Sequence, residues 1–237
     1  MSHDDEVITR SRTRAPSWAE YLGIFLPPRS DLFEWAGRMN ADKSSLSVGV
    51  FYLIRHAEPL RISPGRPEVE SPLSDRGRRA AEQLPAQFVT VELDEIYSSP
   101  YRRARETVEP LARARNLSVI EIQEFRERTL GDGPFADPIF LRAVRATWDD
   151  FGFIHPGGES NESAQKRARL ALNELLVRHG GRPIAISTHA TLLALIVNSF
   201  DPSFGFEFWR QITMPDVYRL EVHGNRRPQI RRVGSNS

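Results

Sequence analysis

From about residue 48 onward, continuous apolar runs alternate with segments in which apolar residues recur every three or four positions. The run "VGVFYLI" is β-branched and aromatic, which is typical of a strand buried on both faces of a sheet. The following segment "LSDRGRRAAEQLPAQF" begins with a Ser/Asp capping signal and places Ala80, Ala81, Leu84 and Phe88 at helical spacing. It therefore predicts a helix, which Pro85 should kink or split.

The same alternation continues to the end of the chain. Further strands are predicted at "LDEIYSS", "LSVIEI", "PIAIST" and "VYRLEV", and further helices at "PYRRARETVEPLARARN", "IFLRAVRATWDDF", "PGGESNESAQKRARLALNELLVRHGG" and "TLLALIVNSF". Alternating strands and helices predict an α/β fold, a three-layer α/β/α sandwich with a mostly parallel central sheet. We expect "VYRLEV" to be the last strand and "GSNS" to be a frayed tail.

Residues 1–48 differ from the rest of the chain. They combine several prolines with Trp18, Trp35 and a polar stretch, and they lack a strong apolar period. This length and content are too small for an independent domain. We expect an N-terminal extension over 1–48, either draped over the domain through its tryptophans or forming a partly helical arm, and one domain over 49–237.

Composition excludes several classes of protein. The 32 basic residues are offset by 31 acidic ones, so a general affinity for nucleic acid is not expected. Cysteine is absent, which excludes thiol catalysis, thiolate zinc sites and disulfides. No run of about 18 apolar residues predicts a membrane span, and the charged N-terminus does not resemble a secretory signal. These features predict a cytoplasmic protein that needs neither a membrane nor nucleic acid as partner.

Residues with reactive side chains follow four of the predicted strands. Arg55 and His56 follow the first, residues 98–103 the second, Glu127 the third, and His189 follows "PIAIS". Because chemistry in parallel sheets collects at the carboxyl ends of the strands, we expect these residues to share one pocket. An imidazole can attack phosphorus, guanidiniums can hold the phosphoryl oxygens, and a carboxylic acid can protonate the leaving alcohol. The set therefore favours phosphoryl chemistry.

Each of these residues also has a structural interpretation. A lone histidine is more often structural, the arginines at 102, 103 and 105 could form the solvated face of a helix, and Glu127 could merely neutralise Arg126 and Arg128. The abundance of arginine, with Lys43 and Lys166 as the only lysines, could reflect a GC-rich genome as well as oxyanion binding. The histidines show no metal-ligand spacing, so neither a metal nor a cofactor is expected.

The strings "LIRHAEP", "LSDRG", "YSSPYRRARET", "FRERTLGD", "PGGES" and "ISTHA" resemble, in order, the motifs of the histidine phosphatase superfamily, which includes the cofactor-dependent phosphoglycerate mutases. The resemblance covers about residues 50–222 and implies a phosphoglycerate mutase-like fold. It also implies roles for individual residues. These are His56 as the phosphorylated nucleophile, Arg55, Arg103 and His189 as phosphate ligands, the amide of Ala190 as an additional donor, Glu127 as the proton donor, and Glu159 at the border of the substrate site.

The chain departs from the family pattern at several positions. Ala57 and Ala190 stand where the family usually has glycine, and Ile62 stands where many members have a phosphate-binding asparagine. The continuation "GDGPFADP" also differs from the usual one. The substrate of the mutases therefore cannot be transferred to this chain.

These observations predict a metal-independent phosphomonoesterase that acts on a small phosphorylated metabolite through a phosphohistidine intermediate. Two alternatives remain open at this stage, a phosphoglycerate mutase-type phosphotransferase and a non-catalytic phosphate-binding regulatory module. Because His56 must be unprotonated while Glu127 holds a proton, we expect the rate to pass through a maximum on the acid side of neutral. A homodimer is compatible with the sequence.

Overall fold

A computed structural model of the chain describes residues 49–60, 68–133, 138–223 and 226–234. The predictions made for residues 1–48 and for Ile62 lie outside these ranges. The strands are β1 (Gly49–Arg55), β2 (Glu95–Ser98), β3 (Val119–Glu121), β4 (Ile184–Thr188), β5 (Asp216–His223) and β6 (Arg226–Arg232). The α-helices are α1 (Asp75–Gln83), α2 (Arg102–Arg115), α3 (Ile139–Asp149), α4 (Asn161–His179), α5 (Ala190–Asn198) and α6 (Phe206–Gln211), and 3-10 turns cover Glu68–Glu70, Leu84–Phe88 and Gln123–Phe125.

The strands form one mixed sheet in the order β3-β2-β4-β1-β5-β6. The first four strands in this order are parallel, whereas β5 runs antiparallel to β1 and β6 antiparallel to β5. The register pairs Arg55 with Thr188 and Ser98 with Ser187, so β1, β2 and β4 end at one edge of the sheet. The predicted mostly parallel α/β sheet is therefore confirmed.

The two faces of the sheet carry separate cores because side chains alternate along each strand. On β1, Phe51 and Leu53 pack into a core that includes residues of α3, α4, α5 and α6. Tyr52 and Ile54 face the opposite side, in a core with residues of α2 and of the 3-10 turn that follows α1. Burial on both faces explains why this strand reads as a continuous apolar run, and it gives the expected three layers.

Helix boundaries follow local signals in the sequence. The Ser74 hydroxyl accepts the Gly77 N–H and caps α1, which ends at Gln83 before the turn containing Pro85, as predicted. Ser160 caps α4 in the same way, and Gly180 ends it in the left-handed conformation with φ 57°. One face of α4 is apolar and packs into the core, with Ala164, Ala168, Ala171, Leu172 and Leu175 buried and Leu176 partly buried.

Two elements differ from the sequence-based expectation. The short helix α6 was not predicted, and "VYRLEV" is not the last strand because β6 follows it and pairs with β5. The sequence of β6, "RRPQIRR", lacks the apolar alternation of an inner strand. This strand lies at the edge of the sheet and pairs with β5 on one side only, so its sequence need not resemble that of an inner strand. Residues 235–237 of the predicted tail lie outside the described ranges.

Within the ranges that the structure describes, no helix is both long and apolar enough to cross a bilayer.

Candidate active site

The carboxyl edge of the parallel strands opens into a cavity of about 830 Å³. Five of the seven site residues predicted from the sequence line it: Arg55, His56, Arg103, Glu127 and Ala190. A sixth, His189, is fully buried directly behind the wall, with its ring centroid 5.1 Å from that of His56. The structure thus brings together residues that are far apart in sequence.

Hydrogen bonds fix the tautomer of His56, which follows the last residue of β1. Its Nδ1 lies 2.7 Å from the carbonyl oxygen of Ala57, and because a carbonyl can only accept, Nδ1 carries the proton. Its Nε2 is therefore an acceptor, and it receives the Nε–H of Arg103 across 3.1 Å. The backbone is held as well, since the His56 N–H donates to the Thr188 carbonyl at 3.0 Å. The unshared electron pair of the imidazole is consequently on Nε2.

The surroundings of His56 keep its ring neutral. Burial is the largest cause, and the charge of Arg103 the next, of a pKa that is lowered from 6.5 to about 3. The hydrogen bond to Ala57 opposes this shift, and the charge of Arg55 adds to it. A neutral imidazole with an available electron pair is the form that can act as a nucleophile.

His189 follows β4 and begins α5 as its N-cap residue. Its Nε2 lies 2.8 Å from the hydroxyl of Ser99, and that hydroxyl accepts the N–H of Tyr101 at 3.2 Å. Its Nδ1 is buried and has no hydrogen-bond partner among the described residues. Burial first, and then the neighbouring charges of His56 and the arginines, lowers the pKa of His189 well below 6.5.

Two guanidinium groups stand beside His56. Arg55 donates from Nη1 to the Ile212 carbonyl at 2.5 Å, its Nε is buried without a described partner, and burial lowers its pKa. Arg103 is only 4% exposed and donates to the backbone carbonyl of Glu68 at 2.9 Å and to its carboxylate at 2.7 Å. Arg103 therefore does not belong to a solvated helix face.

The carboxylate of Glu127 is held at the N-terminus of α5. It accepts the backbone N–H groups of Thr191 at 3.1 Å, Leu192 at 3.0 Å and Arg128 at 2.9 Å. The next amide of this helix, that of Leu193, donates to the His189 carbonyl at 2.9 Å. The helix terminus thus both anchors Glu127 and presents Ala190 at the cavity wall.

The structure does not place Glu159 among the residues that line the cavity. Its two carboxylate oxygens instead accept from Nε and Nη2 of Arg167 at 2.8 and 2.9 Å. Arg167 also donates to the backbone carbonyls of Glu124 and Glu127, the latter at 3.4 Å. The Glu159–Arg167 pair therefore supports the segment that carries Glu127.

Sequence reasoning assigned no role in the site to three residues that the structure places there. Tyr101 packs its ring 4.8 Å from that of His189 and 4.9 Å from the guanidinium carbon of Arg103. Glu68 forms the ion pair with Arg103, and Arg128 is buried in the cavity wall. Tyr101 could have been found from its place in "SSPYRR". The burial of Arg128 and the ion pair between Glu68 and Arg103 cannot be predicted from the sequence pattern.

The arrangement suits transfer of a phosphoryl group. It places a nucleophilic nitrogen next to two cations with hydrogen-bond donors and within the same cavity as a carboxylate. Across the described residues, no group of three or more His, Cys, Asp or Glu side chains is arranged to hold a metal ion.

Comparisons with known proteins agree with this geometry. The model of the histidine phosphatase superfamily (branch 1) matches residues 51–236. The chain is 30% identical over 147 residues to phosphoserine phosphatase 1 of Hydrogenobacter thermophilus, covering 58% of this chain and 69% of that protein. It is 26% identical over 176 residues to the metal-independent phosphoserine phosphatase of Arabidopsis thaliana, covering 69% and 72%. The structure of a mycobacterial glucosyl-3-phosphoglycerate phosphatase superposes with a TM-score of 0.64 at 21% identity, over 80% of this chain and all of that one, which shows a shared fold.

Proposed function

The chain belongs to the histidine phosphatase superfamily and is a phosphatase, and we propose that it hydrolyses small phosphomonoesters through a phosphohistidine formed on His56. The observation that carries this proposal is the buried, neutral imidazole whose Nε2 electron pair faces the Nε–H of Arg103. A nitrogen in this state can attack phosphorus while the adjacent guanidinium neutralises the charge of the phosphoryl oxygens.

In the first step, Nε2 of His56 forms a bond to phosphorus as the bond from phosphorus to the ester oxygen breaks. Glu127, in its protonated form, gives its proton to the departing oxygen, so the alcohol leaves neutral. We assign the phosphoryl oxygens to hydrogen-bond donors that surround His56. These are the guanidiniums of Arg55 and Arg103, the ring of His189, and the backbone amide of Ala190.

In the second step, water attacks phosphorus and the bond between phosphorus and Nε2 breaks. The carboxylate of Glu127, left ionised by the first step, accepts the proton of the attacking water. Inorganic phosphate leaves, and His56 regains its electron pair. We propose that Glu159 acts indirectly, by holding through Arg167 the backbone of the segment that positions Glu127.

Hydrolysis of para-nitrophenyl phosphate in the presence of a chelator tests this proposal. We expect activity without added metal, and its loss in His56→Ala. His223→Ala is the matched control, because His223 lies at the end of β5 and is not part of the cavity lining. Turnover at the wild-type rate in His56→Ala would refute the mechanism.

Two measurements separate hydrolysis from the alternatives. A mutase-type reaction would transfer the phosphoryl group to an added acceptor alcohol, whereas a phosphatase releases it as inorganic phosphate in equal amount to the alcohol product. A non-catalytic binding module would give no acid-labile phosphoprotein on rapid quench. We expect stoichiometric phosphate release and a transient phosphohistidine on His56.

We further propose that the enzyme works in the cytoplasm on a small phosphorylated substrate, without nucleic acid or membrane as partner. The near balance of acidic and basic residues supports this proposal. Cell fractionation shows whether the protein is in the cytoplasmic fraction. Light scattering of the purified protein gives its molar mass and so distinguishes a monomer from the homodimer that the sequence allows.

A further inference from the structure

A third arginine of the cavity wall, Arg128, has no hydrogen-bonded carboxylate partner among the described residues. Arg128 is 3% exposed and lines the cavity, yet its Nε and Nη1 atoms are buried without a hydrogen-bond acceptor. Its backbone N–H is used, because it donates to the Glu127 carboxylate. Among the described residues, the guanidinium itself contacts no acceptor.

The neighbouring carboxylates do not neutralise Arg128 through direct contact. Glu127 is occupied by the amides of Thr191 and Leu192, and Glu159 by the guanidinium of Arg167. Burial lowers the pKa of Arg128, and the more distant charges of Glu127 and Glu159 oppose this effect. Burying a cation without a partner is costly, so such a group in a cavity wall is suited to receive an anion from a ligand.

Arg128 directly follows Glu127, the residue that we assign as proton donor to the leaving oxygen, and both residues line the cavity. The guanidiniums whose charges act on His56 are instead those of Arg103 and Arg55. Arg128 is thus not among the groups to which we assign the phosphoryl oxygens.

We propose that Arg128 is a specificity-determining residue that binds a carboxylate on the leaving group of the substrate. This inference rests on the proposed function, because it takes Glu127 to mark the leaving-group side. A carboxylate fits better than a second phosphate, because the single guanidinium of Arg128 can balance one negative charge. The phosphoryl site, in contrast, contains two guanidiniums, those of Arg55 and Arg103. The cavity lining also includes the apolar side chains of Leu130, Phe140 and Val144, which suit the carbon skeleton of a small substrate.

A matched pair of substrates tests this proposal. O-phosphoserine and O-phosphoethanolamine differ only in the carboxylate, and para-nitrophenyl phosphate lacks both the carboxylate and the amine. We expect wild-type kcat/KM to be higher for phosphoserine than for phosphoethanolamine by about 10- to 100-fold, the size of a hydrogen-bonded charge pair. We expect Arg128→Met to lower kcat/KM for phosphoserine by about 10- to 100-fold more than kcat/KM for phosphoethanolamine or para-nitrophenyl phosphate, so that most of the preference is lost.

Arg126→Met is the control, because Arg126 is two positions away and is not part of the cavity lining. It should leave the preference for phosphoserine unchanged. Arg128→Lys keeps the charge but loses the planar guanidinium, so it should retain only part of the preference.

Several results would overturn the inference. The first is a wild-type ratio of kcat/KM for phosphoserine over phosphoethanolamine that is close to one, which needs no variant to measure. The second is an equal loss of kcat/KM for all three substrates in Arg128→Met. The third is an Arg128-dependent preference for glycerol 1,3-bisphosphate over glycerol 3-phosphate, with no preference for phosphoserine. Failure of the underlying mechanism gives a different result, namely para-nitrophenyl phosphate hydrolysis that survives His56→Ala.

Discussion

The Nε–H of Arg103 donates a hydrogen bond to Nε2 of His56, the atom on which we propose that the phosphoryl group is carried. Once phosphorus is bonded to Nε2, that nitrogen has no electron pair left to accept the hydrogen bond. The Arg103 N–H must then turn to a phosphoryl oxygen, which lies one bond further out. The same donor can thus hold the nucleophile before the reaction and stabilise the phosphoryl group during it.

Burial of the ring, together with the charge of Arg103, predicts that His56 does not titrate near neutral pH. With a pKa of about 3, the ring should stay neutral across the range from about pH 4 to pH 8. Arg103→Met removes a charge that lowers the pKa, so the pKa should rise, while burial still keeps it below the ordinary 6.5. Imidazole chemical shifts measured by NMR as a function of pH test both expectations, and a wild-type midpoint between about pH 6 and pH 7 would contradict them.

The low pKa of His56 changes the expected pH dependence of the rate. The sequence predicted a maximum on the acid side of neutral, with His56 setting the acid limb. Because His56 remains unprotonated down to about pH 3, an acid limb near pH 6 must come from another group, such as the substrate phosphate.

Arg103→Lys should reduce kcat/KM by about 100-fold, although the charge is conserved, because a lysine cannot make the three directed contacts that Arg103 makes. Arg102→Lys is the control, since Arg102 is the neighbouring residue and pairs on the surface with Glu106. Steady-state hydrolysis of para-nitrophenyl phosphate measures both. Equal activity of the two variants would exclude Arg103 from phosphate binding.

Glu127→Gln should show a dependence on the leaving group. A glutamine cannot donate a proton to the leaving oxygen, so the first step with an alkyl phosphate should slow by about 100- to 10,000-fold. The first step with para-nitrophenyl phosphate should slow far less, because nitrophenolate leaves without a proton. Single-turnover rates for the two substrates test this, and Glu121→Gln, on the exposed end of β3, serves as control. An equal loss for both substrates would argue against Glu127 as the acid.

The two buried histidines should make the protein sensitive to acid. In the folded state His56 and His189 resist protonation, whereas in the unfolded chain they accept a proton below about pH 6.5. The unfolded state therefore binds more protons between about pH 3 and pH 6.5, and the free energy of unfolding falls as the pH falls through this window. Above it, neither histidine contributes to the pH dependence.

The expected slope is about 1.4 kcal/mol per pH unit for each histidine. His56→Gln should reduce the slope of the unfolding free energy by about this amount, as measured by urea unfolding at several pH values. A slope that is the same in His56→Gln and wild type would mean that His56 is protonated in the folded state.

The sequence predicted the site best where a residue follows a buried strand. Arg55 is the last residue of β1, His56 and His189 come directly after β1 and β4, and the register of parallel strands brings such positions together. Glu127 is different, because β3 ends six residues earlier and a 3-10 turn carries the chain back to the cavity. Strand order alone could not place it, and only the resemblance to a family identified it.

The parts that the sequence missed depend on burial and pairing rather than on periodicity. Arg128 reads as one charge in an alternating Arg–Glu run, and only its enclosure in the cavity wall distinguishes it from Arg126. Strand β6 is defined by its partner β5, since its own residues favour a polar loop as much as a strand. The roles of individual site residues stay predictions until the variants above are measured.

The two edges of the described sheet limit how copies of this protein can associate. One edge is β3, which is three residues long, and the other is β6, which carries Pro228 and exposes Arg227, Arg231 and Arg232. Short strands, proline and outward-facing like charges all discourage an edge from recruiting a strand of another chain. These edges should therefore resist the growth of intermolecular β-structure, and self-association through the described part of the chain is expected to use helical surfaces.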